Sequence, residues 1–110
     1  MSAATLREAE QARLAGDLDA AMAACQGILA RLPEDPAALN LIAAVAADQG
    51  RIEEGLGWAA RAALADSRAA GPHYTMGRLF EMQQRLGEAE ASYRRAIELA
   101  PRDARAHNNL

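Results

Sequence analysis

The sequence predicts an all-α chain, an α-solenoid in which antiparallel helix pairs stack side by side. Composition is the first observation: alanine is abundant, Val45 is the only valine, and Thr5 and Thr75 are the only threonines. Alanine orders into helix without losing side-chain entropy, whereas strands favour the β-branched residues that are scarce here. The second is an internal period. Small residues recur 34 positions apart in Ala9, Ala43 and Gly77, again in Ala21, Gly55 and Ala89, and more loosely in Ile28, Ala62 and Ala96. The third is punctuation at the same step, with Leu18, Ile52 and Leu86 opening helices and Pro33, Ser67 and Pro101 following them.

Each unit reads as two helices. The first helix, over 3–15, carries Arg7, Glu8 and Gln11, a polar outer face that suits a terminal repeat with no neighbour on one side. Gly16 ends it, and the Asp17 carboxylate caps the second helix over 18–31, which Pro33 prevents from running on. Asp35-Pro36 places a cap before a proline at the first helical position and opens the third helix, 36–49. Gly50 closes it, and the fourth helix covers 52–65. Gly71-Pro72 repeats the opening logic for a fifth over 72–84, and a sixth runs over 87–99 until Pro101. Helices of this length joined by such short turns must pack as antiparallel pairs. The small-residue rows mark where two backbones come close, since only Ala or Gly permits separations near about 8 Å. Residues 1–110 form a single domain on this basis, with units at about 2–35, 36–69 and 70–103 and a truncated fourth at 104–110.

The last unit, "HYTMGRLFEMQQRLGEAEASYRRAIELAPRD", resembles a tetratricopeptide repeat (TPR). Met76-Gly77, Phe80, Ala89, Tyr93, Ala96 and Pro101 stand at the spacings of that family's signature, with His73 where Trp is usual. The second unit is similar through Ile42-Ala43, Gly50, Gly55 and Ala62, and the first through Ala9, Gly16, Ala21 and Pro33. "ARAHNNL", Ala104 to Leu110, repeats the opening of a unit, His107 following His73 and Leu110 following Met76 at the same step. Met1 is expected to lie close to a natural start and the parent to run beyond Leu110. The alternative is that the final turns serve as a lid over the third unit.

The resemblance implies a right-handed superhelix whose concave face is lined by the first helix of each unit and binds an extended peptide or partner helix. Carried onto this chain, the inward positions are Ala3, Leu6, Glu10 and Arg13; Ala37, Asn40, Ala44, Ala47 and Asp48; Gly71, Tyr74, Arg78, Glu81 and Met82; then Arg105 and Asn108. Leu6, Glu10, Asn40, Ala44, Tyr74, Arg78, Met82, Arg105 and Asn108 form the candidate groove. Asn40 and Asn108 can hydrogen-bond a ligand backbone, and Arg78 with Arg105 can hold a carboxylate. Against that stands ordinary surface pairing of Arg78 with Glu81 or Glu10. Two subtypes of the family are excluded by their signatures. The chaperone-binding clamp needs Lys, Asn, Asn, Lys and Arg where this chain has Leu6, Glu10, Leu41, Gly71 and Thr75. The asparagine ladder of sugar transferases meets Arg7, Leu41 and Thr75 before Asn109.

Other classes are disfavoured. Net charge is −3 and all twelve basic residues are Arg, dispersed among Asp and Glu, so no basic stripe exists for nucleic acid. No apolar run approaches membrane-spanning length, and nothing resembles a targeting segment. Cys25 is the single cysteine, equivalent to Tyr93 on the inter-helix face, and reads as a buried small hydrophobe in a reducing, cytoplasmic setting. His73 and His107, one repeat apart, are too distant to share a metal. Glu53-Glu54 and Glu88/Glu90 lack an adjacent nucleophile or phosphate cradle, so no enzyme chemistry and no cofactor is expected. Trp58 faces the convex side, where it packs on the next unit or forms a second contact surface. The leading expectation is therefore a protein-interaction module, and the runner-up is the N-terminal repeat arm of a larger glycosyl- or sulfotransferase. An uncapped third repeat, with Met76, Leu79 and Phe80 partly uncovered, also predicts homo-association.

Overall fold

A computed structural model describes residues 3–102 of the chain. Among these residues it forms six helices and no strand: α1 (Leu6–Leu14), α2 (Leu18–Arg31), α3 (Pro36–Asp48), α4 (Ile52–Ala65), α5 (Gly71–Met82) and α6 (Leu86–Leu99). Consecutive helices pack together, and α3 also touches α1 and α5, so the odd-numbered helices line one flank of an elongated body of 44 × 26 × 22 Å.

Local chemistry sets the boundaries. Helix α1 starts at Leu6, later than its periodicity suggests, because Thr5 is extended and its hydroxyl accepts from the Glu8 amide at 3.2 Å. The Asp17 and Asp35 carboxylates accept from Ala20 N and Ala38 N at 3.1 and 2.9 Å, as their positions predicted. The expected proline-based opening of the fifth helix differs. Gly71 and Pro72 both lie inside the first turn of α5, and its N-cap is Ala70, which has no side-chain acceptor. Gly16 and Gly50 take left-handed backbone, at φ 83 and 76. The equivalent residue of the third unit is Gln84, at φ 59, which ends α5 two residues before the periodicity does. Its side chain must tolerate a conformation that glycine adopts freely.

The hairpins close on the smallest residues. Ala9, Ala43 and Gly77 are all buried, the two alanines completely. Opposite them stand residues of graded size. Cys25 shares a cluster with Ala9, Ala59 holds the corresponding place in α4, and Tyr93 crosses Gly77 so closely that a Cβ there would lie 2.6 Å from its ring. The largest partner thus faces the only glycine of the row. Between hairpins, a Cβ on Gly55 would sit 3.0 Å from Leu79 Cδ2 and 3.3 Å from the Ala43 carbonyl oxygen, so α4 lies directly on α3 and α5. Leu79, expected to be partly uncovered, is instead fully buried by this approach, while Met76 and Phe80 are half-buried. Trp58 packs back onto the Ala9, Cys25, Leu41 and Ile42 cluster of earlier helices. The Arg61 guanidinium covers its ring at 4.9 Å and donates to the Pro33 carbonyl. Burial pushes the Cys25 thiol up to about 11, which suits a packing residue and not a nucleophile.

Two stability measurements follow by chemical denaturation. Gly77→Ala gains helix propensity of up to about 1 kcal/mol but forces methyl against ring, a clash of about 1–3 kcal/mol, so net destabilisation of about 1 kcal/mol is expected. In a Tyr93→Cys background, which copies the Ala9–Cys25 pairing, the same change should stabilise. Gln84→Gly relieves left-handed backbone and should raise stability by about 0.5–1 kcal/mol. No gain would mean that Gln84 is held there without strain.

Candidate functional site

The flank formed by α1, α3 and α5 is hollowed into a groove of about 270 Å³, lined by Glu10, Arg13, Leu14, Ala37, Asn40, Leu41, Ala44, Tyr74, Thr75 and Arg78. Glu10, Asn40, Ala44, Tyr74 and Arg78 of the sequence-predicted set therefore come together in one concavity. Leu6 does not line it and packs, half-buried, against the Ala9 cluster. Met82 is 45% exposed and lies outside the lining. Arg105 and Asn108 fall outside the described residues, as does the stub 104–110.

Asn40 is committed in part to the scaffold. The Thr75 hydroxyl donates to its Oδ1 at 2.9 Å, and its Nδ2 rests over Gly71, where a Cβ would come within 2.7 Å. The link joins neighbouring units through residues one apart from the repeat step. Tyr74 packs its ring at 5.9 Å from Tyr93, tilted by 52°. Burial raises the Tyr93 phenol above its usual range, and the nearby Glu81 carboxylate adds to the rise. That hydroxyl is buried without a well-formed hydrogen bond among the described residues.

The charges at the groove are organised around Asp48. Arg13 Nε donates to Oδ2 at 2.7 Å, and Arg78 reaches Oδ1 at 3.4 Å, so one carboxylate on α3 bridges guanidiniums on α1 and α5. Arg78 thus pairs with Asp48, a partner that surface-pairing arguments from helix spacing overlooked. Asp48 is the last residue of α3, whose final turn has no basic side chain. A carboxylate there opposes the helix dipole, and the two arginines offset that cost. An acidic residue at a helix end without a local cation was the available sequence signal for a cross-helix partner. Glu10, by contrast, makes no ion pair among the described residues. Beside it Leu14 is 82% exposed, an apolar wall without cover. Among the described residues no group of His, Cys, Asp and Glu could hold a metal ion, and no helix is long and apolar enough to cross a membrane.

Stacked hairpins with a groove along their leading helices define a helical-repeat scaffold. Residues 70–103 match the family model described as tetratricopeptide repeat, so the chain carries a tetratricopeptide repeat over its third hairpin. No curated protein matches it. Among solved structures, a mutant of the Thermobaculum terrenum O-GlcNAc transferase is similar at a TM-score of 0.91 and 28% identity over 96% of this chain. The chain spans 20% of that transferase's length. The first TPR domain of human RPAP3 is similar at 0.89 and 19% identity, covering 96% of this chain and 83% of that one. The first TPR of Spaghetti (RPAP3), bound to an HSP90 peptide, is similar at 0.84 and 18% identity, covering 100% and 93%. The last two likenesses concern the fold alone.

A double-mutant cycle tests the Asp48 bridge. Arg13→Gln and Asp48→Asn should couple by about 1 kcal/mol in low salt, the upper end for pairs at a surface, and the coupling should shrink in 1 M salt. Additive effects would remove the bridge from the groove's architecture.

Proposed function

We propose that this chain is a protein-interaction module that holds an extended peptide or a partner helix in the groove of α1, α3 and α5. The observation that carries this is the groove itself. Three parallel leading helices present Leu14, Ala37, Ala44 and the Tyr74 ring as apolar surface, edged by the polar groups of Glu10, Asn40, Thr75 and Arg78. A mixed surface of this kind suits a segment with apolar anchors and hydrogen-bonding edges. The first TPR of Spaghetti, with an HSP90 peptide bound to it, lends support by analogy of fold. Peptide chemistry must differ here. The five positions that would form a chaperone clamp hold Leu6, Glu10, Leu41, Gly71 and Thr75, whose only charge is negative. An acidic chain with a buried, unpaired Cys25 and no basic stripe fits a cytoplasmic module that avoids nucleic acid. The end of the stack at α5 and α6, with Phe80 half-buried and Leu86 64% exposed, is the surface we assign to any homo-association.

One observation favours a second role, as a repeat arm that presents substrates to an enzyme: the 28% identity to the O-GlcNAc transferase structure. Among the described residues no asparagine ladder accompanies it, since Leu41 is buried and the Thr75 hydroxyl is bonded to Asn40. Glycosyl transfer by the full gene product would favour this role.

Ala37 is exposed and lines the groove, so Ala37→Trp fills it while removing no scaffold contact. Pull-down with this variant beside the unaltered chain should lose groove partners, by about tenfold or more, at unchanged melting temperature. Equal recovery of every partner would sink the groove as the binding surface.

A further inference from the structure

We propose that the groove selects a peptide segment bearing a basic side chain, Arg or Lys, seated against Glu10. This rests on the groove being the binding surface. The inference comes from which charges the fold has already neutralised. The lining contributes two cations, Arg13 and Arg78, and Asp48 engages both, at 2.7 and 3.4 Å. Glu81, one helical turn after Arg78, adds a second carboxylate at that end, near the Tyr93 hydroxyl to which Arg78 is also close. Glu10 alone among the groove's charged side chains has no ion-pair partner among the described residues. Arg7, three residues before it on α1, makes no ion pair with it, and Arg13, three residues after, is turned to Asp48. The site open to a ligand charge is therefore anionic.

The surroundings fit a long cationic side chain. Leu14, one turn beyond Glu10, is 82% exposed, and Ala44 offers further apolar surface in the same groove. An Arg or Lys stem would cover these carbons while its head reaches the carboxylate. The Tyr74 ring, in the same lining, adds an aromatic face attractive to cations. A ligand ending in acidic residues would meet Glu10 in a groove whose two lining cations, Arg13 and Arg78, are already engaged by Asp48. The preference is thus opposite in sign to a carboxylate clamp.

The experiment is selection of random 12-residue peptides displayed on phage against the immobilised chain. Individual peptides are then measured by fluorescence polarisation with the unaltered chain, Ala37→Trp, Glu10→Gln and Glu10→Arg. Peptides lost on Ala37→Trp should be enriched in Arg or Lys. Glu10→Gln should weaken them about fivefold, the scale of one exposed ion pair, and Glu10→Arg should shift selection toward acidic residues. Added salt should reduce their affinity. Groove-dependent peptides with no basic excess, or with equal affinity for Glu10→Gln, would overturn this inference and leave the groove assignment standing. Selection yielding only peptides indifferent to Ala37→Trp would overturn both. Glu10 is exposed, so matching melting curves for the variants are expected.

Discussion

The close approach of helices, within a hairpin at Gly77 and between hairpins at Gly55, is the constraint on which the rest of this structure depends. At Gly77 the Tyr93 ring occupies the space of a methyl group, and at Gly55 the Leu79 side chain nearly does. Neither contact contributes much energy alone. Their importance is geometric: they fix how near α6 lies to α5 and how near α4 lies to α3 and α5, and the larger side chains fill what remains. The graded series Cys25, Ala59 and Tyr93 against Ala9, Ala43 and Gly77 shows that the gap can be filled from either side. The residues opposite the small row therefore differ widely in size, and Tyr93 fits where it does only because Gly77 carries no side chain.

That spacing produces the groove. Because α3 is in contact with both α1 and α5, side chains from three helices reach one another across the flank. Asp48 exploits this by meeting guanidiniums from both neighbours, and Asn40 does so through Thr75. Each link is modest at a surface. Together they tie adjacent units at the concave side, while Gly55 and Leu79 tie them within the body. The groove is therefore held open with its polar groups already positioned, and less ordering entropy is lost when a segment binds.

Much of this was legible in the chain because the signals are steric and repeat. Three copies of a small residue at one step, with Gly or Pro between helices, leave few alternatives to stacked hairpins, and the helix limits followed within a few residues. The exceptions have physical causes. Gln84 takes the left-handed turn that Gly16 and Gly50 take, which composition cannot signal because glutamine has no preference for it. Leu6 satisfies the inward register yet packs against the Ala9 cluster, because it is the first residue of α1 and helix register is least fixed at a first turn. Trp58 packs against the Ala9, Cys25, Leu41 and Ile42 cluster of earlier helices, a contact between helices that position in one helix cannot foretell. The Arg13–Asp48–Arg78 bridge was hidden for another reason: helix spacing foretells pairs on one helix, whereas partners on three depend on the superhelical offset.

The division of labour around each leading helix explains how such a groove acquires its own chemistry. Successive residues turn by about 100°, so neighbours in sequence face different surroundings. In α5, Gly77 faces Tyr93 of α6, Leu79 lies under Gly55 of α4, and Tyr74 with Arg78 lines the groove. In α3, Ala43 and Val45 hold the equivalent scaffold positions and are fully buried, while Asn40 and Ala44 line the groove. On the proposed groove reading, a substitution at Glu10 changes the ligand's surroundings with little effect on helix spacing, whereas one at Gly77 or Gly55 alters spacing and every groove distance with it, and Tyr74 is tied to the scaffold through its packing on Tyr93. Asn40 is the intermediate case, since its amide is both groove surface and the prop over Gly71. On the proposed reading, specificity resides where the scaffold makes no demand, and Glu10, exposed and without an ion-pair partner among the described residues, is the charged groove position that meets that condition most fully.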